Sequence, residues 1–291
     1  VAGPVNGFTV EATCALEFGP GAVARVPALL ATQHGARATD DLWPSPTPGL
    51  PLVAVPTTAG TGAETNGFGV VEDTCAKRKV YLGHASVRPR VAVLDPELTV
   101  GLPPAATAAT GFDALVHGVE SLASRGANPV SDAAAAQAVA LVGRWLPVAV
   151  DDGTDLEARA QLLLGAHLAG QALTVSGLGL VHGIAHAVTA HTGTPHGVAL
   201  ASVNEQVMRW SADAAAQAYS RAGAALGTGD AVAGIAALVE DIGVRRPLRE
   251  LGVDRELLPV LAAAAVVDPV TANAPRTPTE DDVREILDAA W

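Results

Sequence analysis

Four of the chain's eight histidines fall within the stretch Ser176-Gly-Leu-Gly-Leu-Val-His-Gly-Ile-Ala-His-Ala-Val-Thr-Ala-His-Thr-Gly-Thr-Pro-His-Gly-Val-Ala199. No other feature limits the fold so strongly. His182 and His186 are i,i+4, so on a helix they stack on one face, a turn apart. Pro195 fits poorly inside that helix, which puts His196 at the start of the next element, folded back towards the pair. Upstream, Gly111-Phe-Asp-Ala-Leu-Val-His-Gly-Val-Glu120 supplies a second i,i+4 pair, Asp113 and His117. Imidazoles and one carboxylate drawn from two helices suit a divalent transition metal. A lone histidine is more often a satisfied core residue, but two facing pairs in an Ala/Gly/Val-rich chain point to a site.

The chain is 49% hydrophobic yet only 3% aromatic, so its core has to be built from Ala, Val and Leu. That favours close-packed helices and parallel strands over an aromatic-rich sandwich. Its 291 residues leave room for about two domains. A net charge of −12 argues against nucleic acid or acidic membranes as partners. No apolar run reaches the roughly 18–20 residues of a membrane span, and no signal-peptide pattern opens the chain. Cys14 and Cys75 are too few for a disulfide framework, which fits a reducing cytoplasm.

Taken in order, residues 8–18 alternate loosely and read as a strand, closed by Gly19-Pro-Gly21. A short helix is expected over 22–32 and a proline-rich loop over 33–51. Leu52-Val-Ala-Val-Pro56 has the continuous apolar character of a buried parallel strand. It feeds Thr57-Thr-Ala-Gly-Thr-Gly-Ala-Glu64, where Gly60 and Gly62 let the backbone approach a ligand and Thr57, Thr58 and Thr61 supply hydroxyls. Such a loop binds phosphate or ribose in many proteins and is a plain turn in others. Segments 69–72, 79–82 and 91–94 read as further strands.

From Pro103 onward helical periodicity takes over. Phe112, Leu115, Val116, Val119 and Leu122 form an apolar stripe, with Asp113 and His117 beside it. Further helices are expected near 131–146, 155–174, 178–191, 197–209, 212–226, 229–242, 255–266 and 280–290. Thr279 caps the last, with Glu280, Asp281 and Asp282 in its first turn. The expected fold is α/β plus all-α, with an incomplete Rossmann-like part over 1–103 and an all-helical metal-binding domain over 104–291.

Pro56-Thr-Thr-Ala-Gly-Thr-Gly-Ala-Glu64, Leu94-Asp-Pro-Glu-Leu98, Ala109-Thr-Gly-Phe-Asp-Ala-Leu-Val-His117 and the histidine stretch, in that order, resemble the iron-containing (group III) alcohol dehydrogenases of the dehydroquinate synthase-like superfamily. The resemblance implies Asp113, His117, His182 and His196 as metal ligands, with His186 between metal and nicotinamide. It implies that Thr57, Thr58, Gly60 and Thr61 line NAD or NADP, with Lys79 close to the ribose. Otherwise Lys79 is an ordinary surface lysine of the charged turn 77–79. The metal expected by resemblance is Fe²⁺; the ligand chemistry would also accept Zn²⁺, Ni²⁺ or Co²⁺. His167 and His191 match no ligand position and read as structural, and Asn66 stands where relatives often carry Thr. The resemblance further implies a small alcohol or carbonyl substrate and a homodimer or higher homo-oligomer.

One family feature is missing. Relatives hold the cofactor pyrophosphate with a Gly-Gly-Gly-Ser motif in a Rossmann-like half, and no such motif occurs here. Residues 8–26 resemble the family's first strand and turn. Residues 28–56 resemble the family segment on the far side of the missing part, so the junction lies near Pro27-Ala28. Either that half is lost or the natural chain is longer; the absent initial Met and the abrupt junction favour a longer chain. The leading expectation is therefore an NAD(P)-linked oxidoreductase in which the metal is a Lewis acid on the substrate oxygen and His186 relays the proton. The alternative is a metal-dependent lyase, hydrolase or isomerase on the same helical scaffold, or a non-catalytic interaction module.

Overall fold

The computed structural model describes residues 52–73, 75–83 and 85–291, and residues 8–11 and 15–18 as backbone strands. The helix expected over 22–32, the loop over 33–51 and the junction near Pro27 lie outside the described residues. β1 (Phe8–Glu11), β2 (Ala15–Phe18), β3 (Val53–Ala54) and β6 (Val91–Leu94) form one sheet in the order β1-β2-β6-β3. β6 runs parallel to both of its neighbours, so Ala15 and Val53 flank Val91. β4 (Phe68–Asp73) and β5 (Arg78–Gly83) make a separate antiparallel hairpin.

The single strand expected over 8–18 is instead an antiparallel pair, β1 against β2. The register explains why. Phe8 stands opposite Phe18 and Val10 opposite Leu16, so even positions pair with even ones and the two strands share one phase of sequence alternation.

Nine α-helices come after the strands among the described residues: α1 (Pro104–Ala123), α2 (Pro129–Asp151), α3 (Leu156–Ser176), α4 (Leu180–Thr192), α5 (His196–Trp210), α6 (Ala216–Leu226), α7 (Ala231–Asp241), α8 (Leu258–Val267) and α9 (Glu280–Ala290). Their starts reflect local chemistry. Asn128 and Ser131 form a capping box on α2, as do Thr279 and Asp282 on α9. Asp155 and Asp230 accept backbone N–H bonds at the heads of α3 and α7. α2 runs past Pro147, where periodicity placed its end. A proline there forfeits the bond that residue 147 would give to the Gly143 carbonyl and crowds that oxygen, yet the helix continues to Asp151.

The core is aliphatic, as the composition requires. α1, α2 and α3 pack around Phe112, Leu115, Val139, Val142, Leu146, Leu162 and a series of buried alanines. A Cβ on Gly118 would lie 2.8 Å from Val139 Cγ2, and one on Gly165 would lie 2.9 Å from Val142 Cγ2. These two glycines let the three helices approach closely. By length and composition α2 could cross a bilayer. Asp132, Gln137 and Arg144 interrupt its apolar character, and its Ala135–Leu146 face is buried in the helical core.

Two bends set up the site. α3 ends at Gly177, whose φ of 75° only glycine adopts freely, and α4 leaves at 105° to it. α4 ends at Gly193 (φ 71°), and Pro195 then caps α5, which starts at His196. The turn expected from the proline thus brings His196 back over α4.

Candidate metal centre

Asp113 and His117 lie a turn apart on α1, His182 and His186 a turn apart on α4, and His196 opens α5. The Asp113 Oδ1 atom is the meeting point. His117 Nε2 lies 3.2 Å from it, His182 Nε2 3.3 Å and His196 Nε2 3.7 Å. Ligand atoms of Asp113, His182 and His196 all fall within 4.8 Å of one another. His117 stacks on the His182 ring, with centroids 4.7 Å apart. Asp113, His117 and His182 are buried, and His196 is partly open to the cleft.

The charges are strongly coupled. Burial pushes the Asp113 carboxyl up, but the three surrounding imidazoles outweigh it and hold the group below the usual carboxylate range. Burial drives His117 down to about 4 against the pull of Asp113. It drives His196 down to about 3. His182 goes the other way: burial opposes its charge, yet hydrogen bonds and charge from Asp113 and Glu120 push it up to about 9. At neutral pH two neutral imidazoles and one imidazolium therefore crowd a single carboxylate oxygen. A divalent cation satisfies that donor set better than one shared proton does, so the residues fit a metal.

Two carboxylates complete the cluster, and the sequence reading assigns a role to neither. Glu120, on the α1 face that carries Asp113 and His117, accepts from His182 Nδ1 at 2.7 Å. Asp268, just beyond α8, accepts from His186 Nδ1 at 2.9 Å. The spacing 113–117–120 on one helix face is a usable signal for Glu120; nothing local marks Asp268.

A cleft of about 580 Å³ opens from this cluster. Thr61, Asn66 and Lys79 line it together with Asp113, His117, His182, His186 and His196, and Phe68, Tyr81, Leu173, Leu178 and Val270 give it apolar walls. Thr58 lines an adjoining cleft of about 430 Å³, shared with Thr61 and Asn66. Thr57 is exposed, and neither it nor Gly60 lines either cleft. Lys79 pairs at 3.0 Å with Glu72, its partner across the hairpin.

The glycines of the 57–64 loop have packing reasons. A Cβ on Gly60 would lie 2.8 Å from Thr110 Cβ on α1. One on Gly62 (φ 60°) would lie 2.5 Å from Gly170 Cα on α3. Glu64 meets the fully buried His167 Nδ1 at 3.0 Å and tightens the same seam. His167 thus ties the loop to α3, and His191 bonds the Ala187 carbonyl within its own helix. Both are structural.

Residues 107–291 match the model of the Fe-containing alcohol dehydrogenase family, C-terminal, and residues 18–96 match that of iron-containing alcohol dehydrogenase. The probable alcohol dehydrogenase EutG of Salmonella typhimurium is 40% identical over 248 residues, which cover 84% of this chain and 63% of EutG. The crystal structure of a 1,3-propanediol oxidoreductase superposes with a TM-score of 0.82 at 35% identity, over 95% of this chain and 76% of that one. Sulfoacetaldehyde reductase from Bifidobacterium kashiwanohense, solved in complex with NAD⁺, gives 0.79 at 29%, over 94% and 75%. With the helical fold and the Asp/His cluster, these matches establish that the chain belongs to the iron-containing alcohol dehydrogenase family. It spans less than two thirds of the length of EutG.

Proposed function

We propose that the chain is the catalytic portion of an NAD(P)-linked oxidoreductase interconverting a small alcohol and its aldehyde or ketone. The observation that carries this is one cleft lined both by the Asp/His cluster and by Thr61, Asn66 and Lys79. In this reading residues 104–291 are the metal-binding unit and 1–103 belong to the nucleotide side. Asp113, His117, His182 and His196 would hold one divalent ion, Fe²⁺ by family, with Zn²⁺ also suited to the donors. When bound, the metal supplies Lewis acidity at the substrate oxygen and the nicotinamide supplies or accepts the hydride.

The chain's own residues do the rest. Phe68, Tyr81, Leu173, Leu178 and Val270 keep the cleft apolar and confine a short carbon chain beside the cluster. Asp268 engages His186 Nδ1, which leaves Nε2 to take up or return the substrate proton. Thr58 and Thr61 offer hydroxyls to the cofactor, and Lys79, held by Glu72, offers a cation near its ribose. A cytoplasmic location and a homodimer or higher homo-oligomer belong to the same proposal.

The test is to load the protein with Fe²⁺ or Zn²⁺, titrate NADH and NADPH by fluorescence, and assay short alcohols and diols. Binding of one nucleotide with turnover supports the reading. Metal binding with neither nucleotide bound at millimolar concentration refutes it and leaves a metal-dependent non-redox enzyme. In the same assay His186→Ala should keep its metal and lose turnover by about 10²-fold or more. Metal loss in that variant would make His186 a ligand instead.

Metal uptake should also depend on pH with a defined sign. His182, at about 9 in the metal-free site, carries a proton on Nε2 that a metal must displace, whereas His117 and His196 are already neutral. Affinity should therefore rise by about tenfold per pH unit from neutrality and level off above roughly pH 9. Calorimetry in two buffers of different ionisation enthalpy should find about one proton released per metal near pH 7.5. No proton release there would contradict the assignment.

A further inference from the structure

We infer that Glu120 is a positioning residue, which fixes His182 in the Nδ1–H tautomer and sets the distance between α1, which carries Asp113 and His117, and α4, which carries His182. The inference rests on the reading that Asp113, His117, His182 and His196 hold a metal.

Glu120 is buried between α1 and the start of α4. α4 has no side-chain cap of its own, because Gly179 stands at the capping position. Glu120 takes over that task from a different helix. Its carboxylate accepts from Gly179 N at 3.0 Å, from Val181 N at 2.6 Å and from His182 Nδ1 at 2.7 Å. Three donors thus converge on one side chain, two of them otherwise unpaired amides at a helix N-terminus, where a negative charge is favoured.

The third bond orients the ring. With Nδ1–H committed to Glu120, His182 presents Nε2 to Asp113, 3.3 Å away. His182 alone among the three imidazoles facing Asp113 has a carboxylate on its other nitrogen. A carboxylate in that place fixes the tautomer and raises the basicity of the ligating nitrogen. Because Glu120 grows from the same helix face as Asp113 and His117, it also fixes how far α4 stands from them. Gly179 leaves room for this: a Cβ there would lie 3.0 Å from Glu120 Oε1.

Glu120→Gln tests the idea with little change of shape. Its amide oxygen still caps α4 but removes the charge and one acceptor. Against Co²⁺ alone, in competition with a chelator, Glu120→Gln should bind about 10- to 100-fold more weakly than wild type, with an altered visible spectrum. Circular dichroism checks that the helices persist, and His182→Ala serves as the ligand-loss control. A folded Glu120→Gln protein with wild-type Co²⁺ affinity and spectrum overturns the inference. Wild type that takes up no Co²⁺ overturns the metal-site reading itself. A second measurement needs no variant: ¹⁵N NMR of the wild-type protein loaded with Zn²⁺. It should show His182 protonated at Nδ1, and a proton-free Nδ1 would refute the positioning role.

Discussion

Asp113→Asn should weaken divalent metal binding by more than about 10²-fold while the helices stay in place, because lost outer partners of a ligand alone cost 10- to 100-fold. Asp113 Oδ1 is the atom on which His117, His182 and His196 converge. Asn keeps the size of the side chain and removes its charge, so no cavity forms in the aliphatic core around Phe112 and Leu115. The same change removes one of the two carboxylates that hold His182 up at about 9. The His182 pKa should then fall, and the proton released on any residual metal uptake near pH 7.5 should shrink. Competition with a chromogenic chelator measures the first effect and calorimetry the second. An Asn variant with wild-type affinity would mean that the imidazoles bind without Asp113.

Gly197→Ala should damage the site from a position that offers no side chain to it. Alanine is the best helix former, so propensity alone would stabilise α5. Space decides the other way. A Cβ at 197 would lie 1.9 Å from the Ala109 carbonyl oxygen and 2.5 Å from its carbon. Those are backbone atoms of α1 and have no rotamer to yield. The head of α5 must move off α1, and the neighbouring His196 moves with it, away from Asp113. The overpacking should cost about 1–3 kcal/mol in stability. Metal affinity should fall at least about tenfold, since metal–ligand distances tolerate only about 0.2 Å. Gly101→Ala, where a Cβ meets nothing within 4 Å, is the control. Denaturant melts with metal titrations on both variants read the contrast; equal behaviour would show that α1 and α5 accommodate the methyl.

The helical part is legible in the sequence because its signals are local. Pro195 fixes where α5 starts, Thr279 and the three acids after it mark α9, and the stripe from Phe112 to Leu122 gives the buried face of α1. The Asp113/His117 and His182/His186 pairs come from helical period alone. The hidden features depend on the third dimension. Asp268 reaches His186 from beyond α8, across a distance no spacing rule covers. Glu120 closes the run that begins at Gly111, but its partners are amides of another helix. Gly60 and Gly62 look like a ligand-hugging loop in sequence, and the helices they touch explain them as well. The β1–β2 hairpin is hard to see because its register keeps the alternation in phase.

The most direct test of the account is the metal content of the protein purified without chelator, by elemental analysis. The convergence of three imidazole nitrogens on Asp113 predicts roughly one divalent ion per chain, retained through gel filtration. Protein that carries no metal, and takes none up when Fe²⁺, Zn²⁺ or Co²⁺ is added back, would contradict it.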